Sequence, residues 1–204
     1  MARYWNQYFY PTRGYSSDSI AVNENPNVQI GSAYWQMDAI QKLRWAVSEN
    51  VELSANIQFS TTNDVPRYDQ LTEGEITFSG GQIQNQTFKY AEWSYGPQRR
   101  LLTSLRAKIN KDSFALFSTA NITAAFQRID EDRITRKFND PLRRFQREDV
   151  YVFTLNADFI KQYKATSTLS YGLDLSHNIV QSKASTENIE SGLMTDRGLG
   201  TRYP

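Results

Sequence analysis

Cysteine is absent from the 204 residues, and histidine occurs once, at His177. The first absence excludes disulfide frameworks, thiol catalysis and cysteine-ligated zinc or iron–sulfur centres. The second argues against a histidine-built metal cluster or triad, since both chemistries draw on that side chain. No apolar run approaches the roughly 20 residues that a spanning helix needs, and the opening MARYWNQYFYPT lacks the apolar centre of a signal peptide. An excess of one charge is missing too. Lys and Arg number 23 against 22 Asp and Glu, so no global field points to nucleic acid or to an anionic membrane surface.

What the chain has instead is 12 Tyr, 11 Phe and long stretches that alternate with period two. Val51, Leu53, Ala55, Ile57 and Phe59 interleave with Glu52, Ser54, Asn56, Gln58 and Ser60, the pattern of a strand with one apolar and one polar face. Trp35, Met37, Ala39, Leu43, Trp45 and Val47 keep the same phase before it, with Ile40 and Gln41 as imperfections, and Ser48-Glu49-Asn50 joins the two as a hairpin. A second hairpin runs through Leu101, Thr103, Leu105, Ala107 and Ile109, turns at Asn110 to Ser113, and returns through Phe114, Leu116, Ala120, Ile122, Ala124 and Phe126. A third uses Tyr151, Phe153, Leu155, Ala157 and Phe159, turns near Lys161-Gln162, and returns through Leu169, Tyr171, Leu173 and Leu175.

The connections alternate in length. Within hairpins they take about three or four residues, whereas between hairpins the chain runs through roughly 61–96, 127–148 and from 180 onward. A compact soluble sandwich does not favour long structureless connections. A transmembrane β-barrel has this asymmetry, with tight turns on one side and long loops on the other. The apolar positions also carry Ala, Thr and aromatics, which suits lipid bounded by aromatic girdles, with Trp45 and Phe114 near the short turns and Phe59, Phe126 and Tyr151 near the long connections. The fold expected is therefore all-β, an antiparallel up-and-down meander of about six to eight strands forming part of a larger transmembrane barrel. The competing expectation is a soluble antiparallel sheet whose aromatics form its core.

Two further stretches bear on family. Val65-Pro66-Arg67-Tyr68-Asp69, following a Ser/Thr run, and Glu92-Trp93-Ser94-Tyr95-Gly96-Pro97-Gln98-Arg99 resemble, in order and spacing, the barrel of TonB-dependent outer-membrane receptors of Gram-negative bacteria. The likeness extends from NPNVQIGSAYWQ to the terminal TRYP. The resemblance implies an outer-membrane location and uptake of a scarce solute such as a metal chelate, a vitamin or a glycan, powered by the TonB complex through a plug domain. It implies no catalysis and no cofactor. The plug, the TonB-contact segment, a signal peptide and an aromatic-ending last strand are not recognisable, so residues 1–204 are expected to be an interior part of such a barrel, which in full has about 22 strands.

Several side chains invite roles. Arg67, Tyr68 and Asp69 offer a guanidinium, a phenol and a carboxylate to a polar ligand at the outer mouth. The simpler expectation is that Pro66 fixes the strand exit while Arg67 pairs with Asp69 or a neighbouring loop. Trp93 and Tyr95 can stack on a ligand, but two aromatics spaced by two before Gly96-Pro97 are read first as members of the outer girdle. Arg100, Arg106 and Lys108 share the polar face and are expected to line the barrel interior, toward the plug or an anionic solute. The segment QRIDEDRITRKFNDPLRRFQRED mixes both charges too evenly for nucleic acid and is expected to be a solvated outer loop, with Arg143, Arg144 and Arg147 toward lipopolysaccharide phosphates. Asp130, Glu131 and Asp132 lie in it as adjacent acids, not as a positioned acid/base pair. No metal site and no catalytic residue are expected.

Overall fold

The computed structural model describes residues 4–7, 18–23, 25, 27–79, 82–164 and 166–197. In chain order the elements are β1 (Tyr4–Gln7), β2 (Ser19–Val22), β3 (Gln36–Ser48), β4 (Val51–Thr62), β5 (Val65–Pro66), the single turn α1 (Tyr68–Leu71), β6 (Gly74–Ser79), β7 (Gln82–Phe88), β8 (Tyr90–Tyr95), β9 (Arg99–Asn110), β10 (Thr119–Lys137), β11 (Leu142–Lys164), β12 (Ser167–Asn188) and β13 (Leu193–Asp196). The chain is all-β. One antiparallel up-and-down sheet runs β13-β12-β11-β10-β9-β4-β3, with β5 and β8 attached at one end, while β1–β2 and β6–β7 form separate two-stranded ribbons.

Register assigns each residue to a face. Leu43, Ala55, Leu105, Ala124, Leu155 and Leu175 form one continuous rung across six strands. One residue along, Lys42, Asn56, Ser104, Ala125, Thr154 and Ser176 form the neighbouring rung on the opposite face. Large apolar side chains on the first face are bare: Trp45 is 66% exposed, Leu43 58% and Leu175 51%. The buried apolar residues among those described are Phe88, Ala91, Trp93, Ala120, Ala157 and Ala184, four of them alanines. No second layer packs on the sheet among the described residues, although a soluble domain ordinarily buries such a face against one.

Aromatic contacts gather at two levels of the apolar face. Near the short connections, Phe114 meets Phe117 at 4.8 Å, Phe117 meets Phe159 at 5.7 Å and Phe159 stacks on Tyr171 at 5.2 Å between centroids. Six residues along β10 from the Phe159 rung, Phe126 packs against Phe153 at 5.0 Å, and at eight residues Arg128 lies 5.6 Å from the Tyr151 ring. Eight residues correspond to roughly 27 Å along a strand.

The connections differ from expectation in three places. Residues 127–148 are not a loop: β10 and β11 stay paired through this stretch to a tight turn over residues 138–141, where Asn139 takes φ 57°. Asn tolerates that left-handed conformation better than most residues. Apolar alternation stops there because both faces are polar, yet the backbone ladder continues. Beyond residue 180, β12 likewise runs on to Asn188 and folds back as β13. At the other end, β10 begins at Thr119, so Phe114 and Leu116 sit in the link, and β11 extends to Lys164, past the expected turn at Lys161-Gln162.

A matched interruption divides the sheet lengthwise. From Asp130 to Arg133, β10 advances three residues, while its neighbour goes back four, from Arg99 to Tyr95. The extra residue falls in Gly96-Pro97-Gln98. The next strand breaks at the same level: Thr61 pairs with Arg99 and Val65 with Tyr95, with Asn63-Asp64 between them. One inserted residue exchanges the two faces of a strand. Gly96 sits at φ +121°, and a Cβ there would lie 2.9 Å from both the Asn63 carbonyl oxygen and the Asp64 Cα, so the break requires glycine.

Candidate functional site: an arginine and aromatic cluster on the polar face

The two sequence stretches that stand out, VPRYD and EWSYGPQR, are partners in space. Val65 pairs with Tyr95 and Pro66 with Ser94, and the Arg67 amide donates to the Trp93 carbonyl at 2.9 Å. This places Arg67 over β8. Its Nε and Nη2 donate to the two carboxylate oxygens of Asp69 at 2.8 and 2.6 Å, its Nη1 donates to the Tyr95 hydroxyl at 3.1 Å, and its guanidinium carbon lies 4.8 Å from the Trp93 ring centroid. The Arg67 guanidinium holds the Asp69 carboxyl well below the usual carboxylate range. Trp93 and Tyr95 meet edge to face at 4.8 Å.

The structure therefore brings Arg67, Asp69, Trp93 and Tyr95 together and bears out the expected Arg67–Asp69 pair. Tyr68 opens α1 beside them and contributes its carbonyl, which accepts from the Thr72 amide at 3.1 Å. The girdle expectation for Trp93 and Tyr95 is corrected. Tyr95 pairs with Arg133 and Trp93 with Thr135, on the β10 face that carries Asn121, Thr123 and Gln127. That is the polar face, and Trp93 is 9% exposed. An uninterrupted strand would have put both rings in phase with Leu101 and Leu105, and the residue inserted at 96–98 reverses this.

Arg100, Arg106 and Lys108 lie on the same face, as expected, but spread along it opposite Ile129, Thr123 and Asn121. Arg100 donates to Gln127 at 3.0 Å and Arg106 to Asn121 at 2.8 Å. Arg100 also closes a hollow of about 440 Å³ lined by Asp38, Gln58 and Ser60.

Sequence reasoning missed Arg133, whose guanidinium carbon is 5.8 Å from the Trp93 centroid and whose buried Nε has no hydrogen-bond partner. Its parity with Thr123 and Gln127 was readable only if β10 were carried through the charged segment. It also missed the row Glu92, Arg136, Arg143, Glu187 on the other face. Arg136 is fully buried; it donates to Asp18 at 2.7 and 3.0 Å, to Glu92 at 3.1 Å and to the Asp140 carbonyl at 2.9 Å. Arg143 donates to Glu92 at 2.6 and 2.8 Å and to Glu187 at 3.1 Å. Arg147 is bidentate on Asp132 and Arg144 reaches Asp140 at 3.4 Å, so Arg143, Arg144 and Arg147, the three expected toward lipopolysaccharide phosphates, each face a carboxylate of the chain. The residue types were visible, but which acid faces which base depends on register.

Asp130 and Asp149 stand directly opposite one another, past the apolar band, with Arg128 donating to both at 2.8 and 3.4 Å. Burial, and then the hydrogen bond with Asp149, raises the Asp130 carboxyl above its ordinary value against the pull of Arg128. The native state therefore holds this proton to a higher pH than the unfolded chain does. Stability from this rung is present at the lower pH and is lost as pH rises through the raised native value. Asp149→Asn is expected to flatten that dependence, read as unfolding midpoints compared between about pH 4–5 and neutrality. An unchanged slope in the variant would show that the carboxylate pair is not its source.

His177 pairs with Phe153 on the apolar face, in the rung of Thr103 and Phe126, with no acid beside it in that rung. Among the described residues, no group of three or more His, Asp or Glu is placed to hold a metal ion. Comparison with known protein families, with characterised proteins and with solved structures finds no match.

Proposed function

We propose that the chain is a stretch of the wall of an outer-membrane β-barrel, of the kind that the VPRYD and EWSYGPQR motifs resemble, and that in the intact protein it serves TonB-driven uptake of a scarce solute. The observation that carries this reading is the bare apolar face of the sheet: aliphatic rungs bounded at both ends by aromatics and backed by a polar face. Lipid is a medium in which such a face needs no covering layer. The separation of the aromatic levels supports it, since strands tilted in a barrel cross a hydrocarbon core with about 9–11 residues. The paired extension of β10, β11 and β12 beyond that band, laced by ion pairs, then stands on the outer side near lipopolysaccharide.

On this reading the polar face lines the lumen, toward the plug, and the Arg67, Trp93 and Tyr95 cluster lies at its outer mouth. Solute capture there, followed by plug movement, involves no covalent chemistry and no nucleic acid. The solute is a metal chelate, a vitamin or a glycan. The two open edges, β3 and the part of β12 before β13, pair with further barrel strands.

Far-UV circular dichroism and sedimentation of the chain with and without detergent or lipid vesicles test this. Cooperative strand structure is expected only with the amphiphile. A monomeric, cooperatively unfolding protein in plain buffer would overturn the reading in favour of a soluble β domain that binds a carbohydrate or protein partner through its loops.

A further inference from the structure

Two opposite charges on the polar face are held apart by a serine. Asp38, Ser60 and Arg100 share one rung of that face, on β3, β4 and β9. Neighbouring strands lie roughly 4.8 Å apart, so the two charged side chains are rooted about 10 Å from each other with the small residue between them. Among the described residues, Asp38 accepts from the Gln36 side-chain amide at 2.8 Å and from no cation, while Arg100 donates to Gln127 at 3.0 Å and to no carboxylate. On the same face, Arg44 of β3 and Glu52 of β4 do meet in an ion pair. Lys42, the next cation along this face of β3, is four residues from Asp38, about 13 Å along the strand. Glu131, the next acid on this face of β10, has interactions of its own.

The separated charges stand at the hollow of about 440 Å³, which Gln36, Ile40, Gln58 and Ser60 also line. That volume lies within the range of about 300–1,000 Å³ typical of small-molecule sites. Asp38 and Arg100 are exposed, so a ligand reaches both from solvent, and Gln58 and Ser60 are half-buried between them. We infer that this hollow binds a compact zwitterion, a ligand group that carries an ammonium and a carboxylate close together, as an amino acid does. The carboxylate takes the planar fork of Arg100 and the ammonium takes Asp38. Side chains stand roughly perpendicular to a sheet. Contacts of about 2.8 Å at each end then leave roughly 4 Å between the ligand's own charges, which suits groups one or two carbons apart. Ile40 offers an apolar wall to the rest of the ligand, whereas a neutral polyol would leave both protein charges unmatched. This deepens the uptake reading by naming the part of the solute that the wall holds, and rests on that reading only there; the hollow itself follows from the register of β3, β4 and β9.

The test uses the whole chain in detergent or lipid, ¹⁵N-labelled, and follows the Ser60 amide resonance, assigned with Ser60→Ala, during titration with leucine. N-acetyl-leucine, which lacks the ammonium, and leucinamide, which lacks the carboxylate, are the comparison probes. Leucine is expected to shift the resonance saturably and to bind at least about tenfold more tightly than either. Asp38→Asn is expected to abolish the advantage of leucine over N-acetyl-leucine, and Arg100→Gln its advantage over leucinamide. A merely structural role for these residues would not divide the two discriminations in this way. Lys164→Gln, a charge loss at the far end of β11, leaves all three titrations unchanged. No saturable shift with leucine, equal affinity for the three probes, or wild-type discrimination in either variant would each overturn the subsite. A chain that needs lipid to fold yet ignores leucine loses the subsite and keeps the barrel reading; a chain that folds in plain buffer and still discriminates does the reverse.

Discussion

Arg136→Met is expected to destabilise the β10–β11 hairpin and its attached N-terminal ribbon by about 3–5 kcal/mol, the cost of stripping one partner from a buried ion pair. The Arg136 and Asp18 side chains are both fully buried. Asp18 is held from a second side as well: it accepts from the Asn139 amide at 2.7 Å, and its own amide donates to the Asn139 side-chain oxygen at 2.9 Å. Removing the guanidinium strands a carboxylate away from water, whereas Glu92 keeps Arg143. Asp18→Asn should be costly for the mirror-image reason. The double variant should lose clearly less than the sum of the two, because neither charge is then left alone. Chemical unfolding gives the energies, and amide exchange at Ser19 to Val22 reports whether the ribbon has been released. Additive losses would mean that the two residues stabilise the fold through separate contacts.

A pair of substitutions one residue apart carries the second large effect. Leu155→Arg places a cation in the middle of the apolar face, and Thr154→Arg places the same side chain at the same level of the polar face. In lipid vesicles the first is expected to cost about 2–4 kcal/mol and the second close to nothing. Only the medium that each face meets differs between them. Unfolding in denaturant, followed by tryptophan fluorescence, measures both. Equal costs would remove lipid from the account of this sheet.

How much of this was legible depended on whether two faces of a strand met different surroundings. Val51 to Ser60 alternates cleanly because one face is aliphatic and the other polar, and β4 follows that pattern closely. Between Arg128 and Arg147 both faces are polar, so the alternation vanished from the sequence although the ladder did not. The Arg67–Asp69 pair was readable because two residues separate its members. Arg133, Arg136 and Asp18 were not, since their partners lie on other strands and only register selects them. The faces of Trp93 and Tyr95 were misread for a different reason. Their spacing of two puts both rings on one face without saying which, and the residue accommodated at Gly96-Pro97-Gln98 is what sets them on the polar one.

The short ladder between Val65-Pro66 and Ser94-Tyr95 has a consequence for how the chain tolerates change. Everything from α1 through β7 leaves and re-enters the sheet through this clasp, with the Lys89 amide donating to the Glu73 carbonyl at 2.9 Å as a second one. Closing a longer or shorter excursion between fixed ends costs only about 0.6 kcal/mol per doubling of its length. The segment between the clasps can therefore be replaced, lengthened or trimmed without disturbing the pairing of β4 with β9 or the rungs of the bare apolar face. The sheet and the excursion it carries are therefore separable, and the VPRYD and EWSYGPQR pairing holds whatever lies between them.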